Sequence, residues 1–195
     1  MLDTAALDSF ERDGWAIIPC FFDHQEIEGV KAYLLHLQTD QQLKRAGIGK
    51  GSEVKVINEQ RGDSIFWLDT MRFHDSLKPY FERMDSIRSE LNRYFYLGLI
   101  ELEAHLALYP KGAFYKKHSD RHQLGSRRRV SAVLYLNTTW ESHDGGELTL
   151  ELENGTSQTI APEAGKMVIF LSHLKHEVQV TQRDRMSITG WLLER

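Results

Sequence analysis

An α+β fold, with a jelly roll in the C-terminal half buttressed by N-terminal helices, is the architecture this sequence predicts. Three observations lead there. Helical hydrophobic periodicity is confined to the first ninety-eight or so residues. From residue 99 onward the pattern becomes short runs that alternate or are wholly apolar, separated by turn signals. No repeat, low-complexity tract or Pro/Gly-rich linker divides the chain, so residues 1–195 read as one domain, 1–98 being helical support and 99–195 the jelly-roll core.

The elements follow in order. "DTAALDSFERDGW" opens on the cap candidate Asp3 and stops at Gly14, a helix with both ends marked. "DHQEIEGVKAYLLHLQTDQQL" brings Ile27, Val30, Leu34, Leu35 and Leu37 near one side of a second helix. A third runs from about Pro79, which suits a first turn, to Gly98. Between them, residues 45–64 are polar and glycine-containing: a loop, with a short strand at "EVKVI". The strands are then "IELEAHLALYP", "RVSAVLYLN", "GELTLELE", "TSQTIAP", "KMVIFL", "HEVQVT" and "RMSITGWLL", divided by "DGG", "ENG" and "EAG".

Composition narrows the function. With 195 residues, 41% of them hydrophobic and 27% charged, the chain can bury a substantial core. A net charge of −4 argues against general nucleic-acid binding. The single cysteine, Cys20 in "AIIPCFF", excludes an internal disulfide and a cysteine-built zinc site, and reads as a small buried hydrophobe. No apolar run approaches the roughly 20 residues of a membrane span, and "MLDTAALDSFERD" does not resemble a signal peptide. The expectation is a cytoplasmic protein with no membrane partner.

Chemistry concentrates in "GAFYKKHSDRHQLGSRRRV". On a strand, His118 and Asp120 would present an imidazole and a carboxylate side by side. The spacing alone is a weak signal. A third ligand must come from elsewhere; His173 and His176 in "LSHLKHEVQV" and the nearby His122 are the candidates. Two histidines and one carboxylate on one face of a metal leave coordination positions open, as in non-haem Fe(II) oxygenases. Nine residues beyond His176, Arg185 opens the last inward strand. A guanidinium inside a barrel needs an anion, and a dicarboxylate that chelates iron at one end would offer it the other. The histidines at 24, 36, 74, 105 and 143 read as surface or ordinary polar positions.

At this point the sequence resembles a known family. "LALYP" before "HSD", "YLN" at 135–137, the glycine pair at 145 and 146, "HEVQV" leading to Arg185, and "SITGW" follow the order seen in 2-oxoglutarate/Fe(II) oxygenases. More narrowly, they resemble prolyl hydroxylases of the hypoxia-inducible-factor type and their bacterial homologues. "RGDSIFWL" at 61–68 is similar to the segment that borders the substrate cleft of those enzymes. Lys175 stands where that family often has proline, and the loop at 45–60 is short.

The resemblance implies a double-stranded β-helix with Fe(II) held by His118, Asp120 and His176. It implies that Arg185 and the Tyr135 hydroxyl bind the distal carboxylate of 2-oxoglutarate, that Tyr109 lines that pocket and that Thr189 lies beside the iron. Tyr115, Arg128 and Trp191 would form the prolyl pocket. Asp63 would pair with Arg128, with Trp67 packed behind. The rest of the "SRRR" run would face water or an acidic partner. The implied activity is hydroxylation of a prolyl residue in a protein, an elongation factor being one candidate. O2 is the second cosubstrate, ascorbate has a supporting role, and 2-oxoglutarate is converted to succinate and CO2. A free amino acid or other small molecule as substrate, or a non-catalytic module that binds metal or 2-oxoglutarate, are the alternatives. The oligomeric state is open, a monomer being favoured.

Overall fold

In the computed structural model, which describes residues 2–47, 57, 59–121 and 125–195, each of the first two helices starts where a side chain satisfies free amides. Asp3 caps α1 (Thr4–Asp13), its carboxylate accepting from the Ala6 N–H at 2.8 Å, and Gly14 closes the helix at φ 73°. α2 (His24–Thr39) opens with a reciprocal box. Asp23 accepts from the Glu26 N–H and the Glu26 carboxylate accepts from the Asp23 N–H, both at 2.9 Å. α3 (Lys78–Phe95) carries Pro79 in its first turn and stops at Tyr96, before the expected Gly98. The early stop has a local cause: the Asn92 side chain bonds both the N–H and the carbonyl of Leu99 at 2.8 Å, turning the chain into the next strand.

Two expectations fail here. Leu35 is 42% exposed, while Ile27, Val30, Leu34 and Leu37 are buried, because one helical step of about 100° carries it off the apolar stripe. Cys20 is exposed, not buried. The preceding strand ends at Ile18, and Cys20 sits in the following turn at φ 51° while Phe21 and Phe22 take the buried positions.

Eleven strands are described: β1 (Trp15–Ile18), β2 (Lys44–Arg45), β3 (Ser64–Trp67), β4 (Leu99–Tyr109), β5 (Tyr115–His118), β6 (Arg128–Tyr135), β7 (Leu148–Glu151), β8 (Ser157–Ile160), β9 (Met167–Leu171), β10 (His176–Val178) and β11 (Arg185–Glu194). They form a seven-stranded sheet in the order β1-β9-β6-β11-β4-β3-β2 and a four-stranded sheet in the order β5-β10-β7-β8, with antiparallel pairing throughout. This is the α+β jelly roll expected. β1, β2 and β3 lie in the half read as helical; two to four residues are too few to display a period. The strand expected at "EVKVI" lies outside the described residues, apart from Ile57.

The central strands of the larger sheet, β6, β9 and β11, are buried on both faces, which is why they read as nearly continuous apolar runs. Leu106, Ala132, Leu134, Met167 and Ile169 face the helices and join Val30, Leu34, Met84 and Leu91 in one core. Their neighbours one residue along, Ala107, Val133, Tyr135, Val168 and Phe170, face the smaller sheet and meet Leu148, Leu150 and Val178. The polar constellation lies on this second, inter-sheet face. Among the described residues, no helix is long and apolar enough to cross a membrane.

Candidate active site and metal centre

Pairing register brings the first two candidate ligands together. β10 runs antiparallel to β5 with His176 directly opposite His118, and the ring centroids are 4.2 Å apart. Asp120 joins them by a different route from the one the strand spacing suggests. β5 ends at His118, and Asp120 sits in the turn beyond it, its N–H donating to the Ser172 carbonyl at 3.0 Å. From there its carboxylate reaches both rings, Oδ1 lying 3.8 Å from His118 Nε2 and Oδ2 lying 3.5 Å from His176 Nε2. One donor atom from each of the three residues lies within 4.8 Å of the others, and this is the one such group among the described residues.

The surrounding hydrogen bonds suit a metal. Nδ1 of His118 faces the Lys116 carbonyl at 2.8 Å, and Nδ1 of His176 faces the Leu174 carbonyl at 3.0 Å. A carbonyl can only accept, so each imidazole carries its proton on Nδ1 and turns an Nε2 lone pair toward Asp120. The Ser131 hydroxyl donates to Asp120 Oδ2 at 2.7 Å and is itself 2.9 Å from Ser172 Oγ. Burial pulls the Asp120 carboxyl upward, but His176, His118 and Ser131 outweigh it and hold it below the usual carboxylate range. Burial, then His176, pushes His118 well below the ordinary imidazole range. The set can therefore offer two imidazole Nε2 donors and one anionic oxygen. That donor chemistry fits Fe(II), and no cysteine is present to favour a softer ion. Ser131→Ala is expected to loosen Asp120 and weaken Fe(II) binding about tenfold, measured by anaerobic titration.

Arg185 begins β11 on the same cavity and is 1% exposed. Nε donates to the Gly146 carbonyl at 2.9 Å and Nη1 to Ser187 Oγ at 3.4 Å. No carboxylate among the described residues pairs with it. Tyr109 and Tyr135 flank the guanidinium, with ring centroids 5.0 and 5.1 Å away. The Tyr135 hydroxyl is buried and has no hydrogen-bond partner; burial, only partly offset by Arg185, pushes its pKa up to about 12. A buried cation and an orphaned neutral hydroxyl side by side form a cradle for a carboxylate. Gly146 is required at its turn: φ is 69°, and a Cβ would stand 3.1 Å from Arg185 Cδ.

Thr189 and Trp191 follow Arg185 and Ser187 on the same face of β11 and lead toward the mouth of the cavity. There the structure corrects the expected ion pair. Asp63 is bound by Arg61, not Arg128, through two hydrogen bonds of 2.6 and 2.7 Å. The two residues are two apart in extended chain and so face the same way, a signal the sequence contained. Arg128 instead pairs with Glu103 at 3.0 Å and lies over the Trp191 ring, 3.6 Å from its centroid. Trp67 is not packed behind an ion pair; it is 52% exposed at the mouth, 5.9 Å from Trp191. Tyr115 stacks on His118 at 3.5 Å, with Arg61 4.2 Å from its centroid.

Other candidates separate cleanly. His173 is bound to Glu153 at 2.8 Å, away from the triad. His122 lies outside the described residues. The arginines beside Arg128 are tied within the chain, Arg127 to Glu101 at 3.1 Å and Arg129 to Glu194 at 3.8 Å. Sequence reasoning missed Ser131, Arg61 and His105. Expected at an ordinary polar position, His105 is 3% exposed and lines the cavity between Trp67 and Trp191. The row Tyr109, Ala107, His105 at alternate positions of β4 could have revealed it.

Burial, followed by Arg61 and in part Arg128, pushes His105 from 6.5 down to about 4. The folded state therefore holds this ring neutral where the unfolded chain would protonate it. The sign follows: stability is full above the unfolded value near 6.5 and falls as pH drops toward about 4, because the unfolded state binds the extra proton. The metal-free protein is expected to lose up to about 3 kcal/mol across that window. Denaturant melts at several pH values should show the slope, and His105→Gln should reduce it, the buried His118 supplying a remainder of the same sign.

Comparison with known proteins agrees with this geometry. The family description of the 2OG-Fe(II) oxygenase superfamily matches residues 104–193. A PKHD-type hydroxylase of Maricaulis maris is 30% identical over 121 residues, 56% of this chain and 54% of that protein. One from Rippkaea orientalis is 35% identical over 89 residues, 43% of this chain and 39% of that protein. The chain thus spans about half or less of the length of these curated relatives. The crystal structure of a Pseudomonas putida prolyl-4-hydroxylase superimposes with a TM-score of 0.90 at 37% identity, covering 97% of this chain and 98% of that one. A Trichoplax adhaerens prolyl hydroxylase, in complex with a hypoxia inducible factor peptide fragment, gives 0.87 at 26% identity over 97% and 87% of the two chains. Because the likeness to a solved prolyl-4-hydroxylase runs nearly end to end in both fold and sequence, this chain belongs to the 2-oxoglutarate/Fe(II) oxygenase superfamily, in its prolyl-hydroxylase-like branch.

Proposed function

We propose that this protein is a 2-oxoglutarate- and Fe(II)-dependent oxygenase that hydroxylates a prolyl residue in a polypeptide. One observation carries the reading. A buried His-Asp-His cluster shares its cavity with a buried arginine that, among the described residues, lacks a carboxylate partner. A structural ion pair would need no such arrangement, whereas a metal-chelating diacid would complete both ends.

His118 and His176 would hold Fe(II) through Nε2, and Asp120 through one carboxylate oxygen. Fe(II) and 2-oxoglutarate together supply O2 activation, coupled to formation of succinate and CO2, and delivery of one oxygen atom to a C–H bond. Arg185 binds the distal carboxylate of 2-oxoglutarate through charge-assisted hydrogen bonds, and Tyr135, neutral at working pH, donates a third. Tyr109 packs beside that guanidinium. Thr189, between Ser187 and Trp191 on β11, lines the passage from cosubstrate to substrate. Val133, Leu148, Phe170 and Val178 supply the apolar walls that exclude water. The end lined by Trp67, Tyr115, Arg128 and Trp191 receives the prolyl ring, while Arg61, bound to Asp63, lies over Tyr115, which stacks on His118.

A polypeptide substrate is favoured over a small molecule because the cavity mouth is walled by the half-exposed indole of Trp67 and is not roofed by it. The Trichoplax relative, a prolyl hydroxylase seen with a peptide fragment, points the same way. A cytoplasmic location accords with the lone, unpaired cysteine. The test is direct: purified protein with Fe(II), ascorbate and 2-oxoglutarate is expected to form succinate, and proline-containing peptides to gain one oxygen atom by mass spectrometry. Absence of succinate would remove the enzyme reading; succinate with oxygen appearing only on free amino acids would replace the peptide.

A further inference from the structure

We propose that His105 determines substrate specificity by donating a hydrogen bond from Nε2 to a main-chain carbonyl of the polypeptide, beside the residue to be hydroxylated; this rests on the oxygenase reading above. Placement comes first. Tyr109, Ala107 and His105 alternate along β4 on the cavity face, so His105 lies four residues, roughly 13 Å, from the Arg185 end. The register sets it opposite Thr189 on β11 and Trp67 on β3. It is thus out of reach of the diacid and level with the mouth.

Its surroundings define what it can bind. Trp67 stands edge-on to the imidazole at 5.2 Å and Trp191 at 5.3 Å, with the two indoles 5.9 Å apart, so the ring is bordered by apolar aromatic surface. Nδ1 is buried without a hydrogen-bond partner, which leaves Nε2 as the ring nitrogen to serve a ligand in the cavity that His105 lines. An orphaned N–H is costlier to bury than an orphaned acceptor, so the proton belongs on Nε2. The ring stays neutral because burial and the arginines at 61 and 128 all oppose a second proton. A single neutral donor bordered by apolar rings matches the carbonyl of an amide. It does not match a carboxylate, which the Arg185 end serves, nor a cationic side chain, which the two arginines would oppose.

The test uses the Fe(II)-loaded enzyme with 2-oxoglutarate and the blocked peptide acetyl-Gly-Ala-Pro-Ala-Gly-amide. His105→Phe, which keeps a flat ring without the donor, is expected to raise the peptide KM about tenfold. The 2-oxoglutarate KM and peptide-free succinate formation should be unchanged. His105→Gln, whose amide N–H can donate, is expected to recover most of the loss. In the wild type loaded with Zn(II), the 15N resonances of the His105 imidazole should report an Nε2–H tautomer that shifts on addition of peptide but not of 2-oxoglutarate. An unchanged peptide KM in the Phe variant, parallel losses in every constant, or resonances unmoved by peptide would each overturn the proposal; the last decides even if the Phe variant does not fold. A wild type that forms succinate but never binds the peptide would overturn the polypeptide reading, and a wild type that forms none would overturn the oxygenase reading.

Discussion

Asp120→Ala is expected to lower Fe(II) affinity by more than about 100-fold and to abolish succinate formation. Loss of a partner that merely orients a metal ligand already costs 10–100-fold in many sites, and here a ligand itself is removed. The carboxylate is also the only anion of the set, so the remaining pair of neutral imidazoles offers a divalent ion no charge compensation. The fold should survive, since Asp120 sits in a turn and its removal relieves the burial of a carboxylate. Thermal melts separate the two effects. Added Mn(II) or Fe(II) under nitrogen should raise the wild-type Tm by mass action and leave the variant unmoved. A variant that keeps wild-type metal affinity would remove the three-residue site.

The second large effect is expected at Arg185. Arg185→Leu should raise the 2-oxoglutarate KM by about 100-fold or more while leaving Fe(II) affinity intact. Breaking a buried charge pair by removing one partner costs about 3–5 kcal/mol, chiefly because the other charge is left uncompensated. Without 2-oxoglutarate the guanidinium already lies buried against a carbonyl and a hydroxyl, so a leucine there should not destabilise the empty protein comparably. 2-Oxoglutarate should therefore stabilise the wild type and not the variant. Arg185→Lys is not expected to rescue, because a single ammonium cannot reproduce the two-pronged donor geometry, nor its placement between Tyr109 and Tyr135. Retention of 2-oxoglutarate-dependent stabilisation in Arg185→Leu would place the cosubstrate carboxylate elsewhere.

Much of this was legible before any coordinates. Asp3 and Gly14 mark the ends of α1 through hydrogen bonds made within a few residues, so their pattern carries the information locally. Seven of the eight later strands, all but β5, announce themselves by apolar patterning between turn residues, and His118, Asp120, His176 and Arg185 stand in a recognisable order. Errors arose where a residue's fate depends on a distant neighbour. Arg128 was given to Asp63, but Glu103 and the face of Trp191 lie nearer once β6, β11 and β4 are laid side by side. His105 has as its one local mark the alternation with Ala107 and Tyr109; its enclosure is completed by Trp67 from β3 and Trp191 from β11.

By itself the chain determined the class of fold, the existence of the three helices and both ends of the first, the donor types and the order in which they occur, because these depend on short-range sterics, hydrogen bonding and hydrophobic period. Only the tertiary structure decided which atoms meet: His118 facing His176 across two strands, Asp120 swung in by a turn, Arg185 enclosed, and His105 beside its two indoles. The physical reason is that pairing register joins residues dozens of positions apart. A one-residue slip, which periodicity in a short strand hardly resists, would turn each of these side chains to the opposite face.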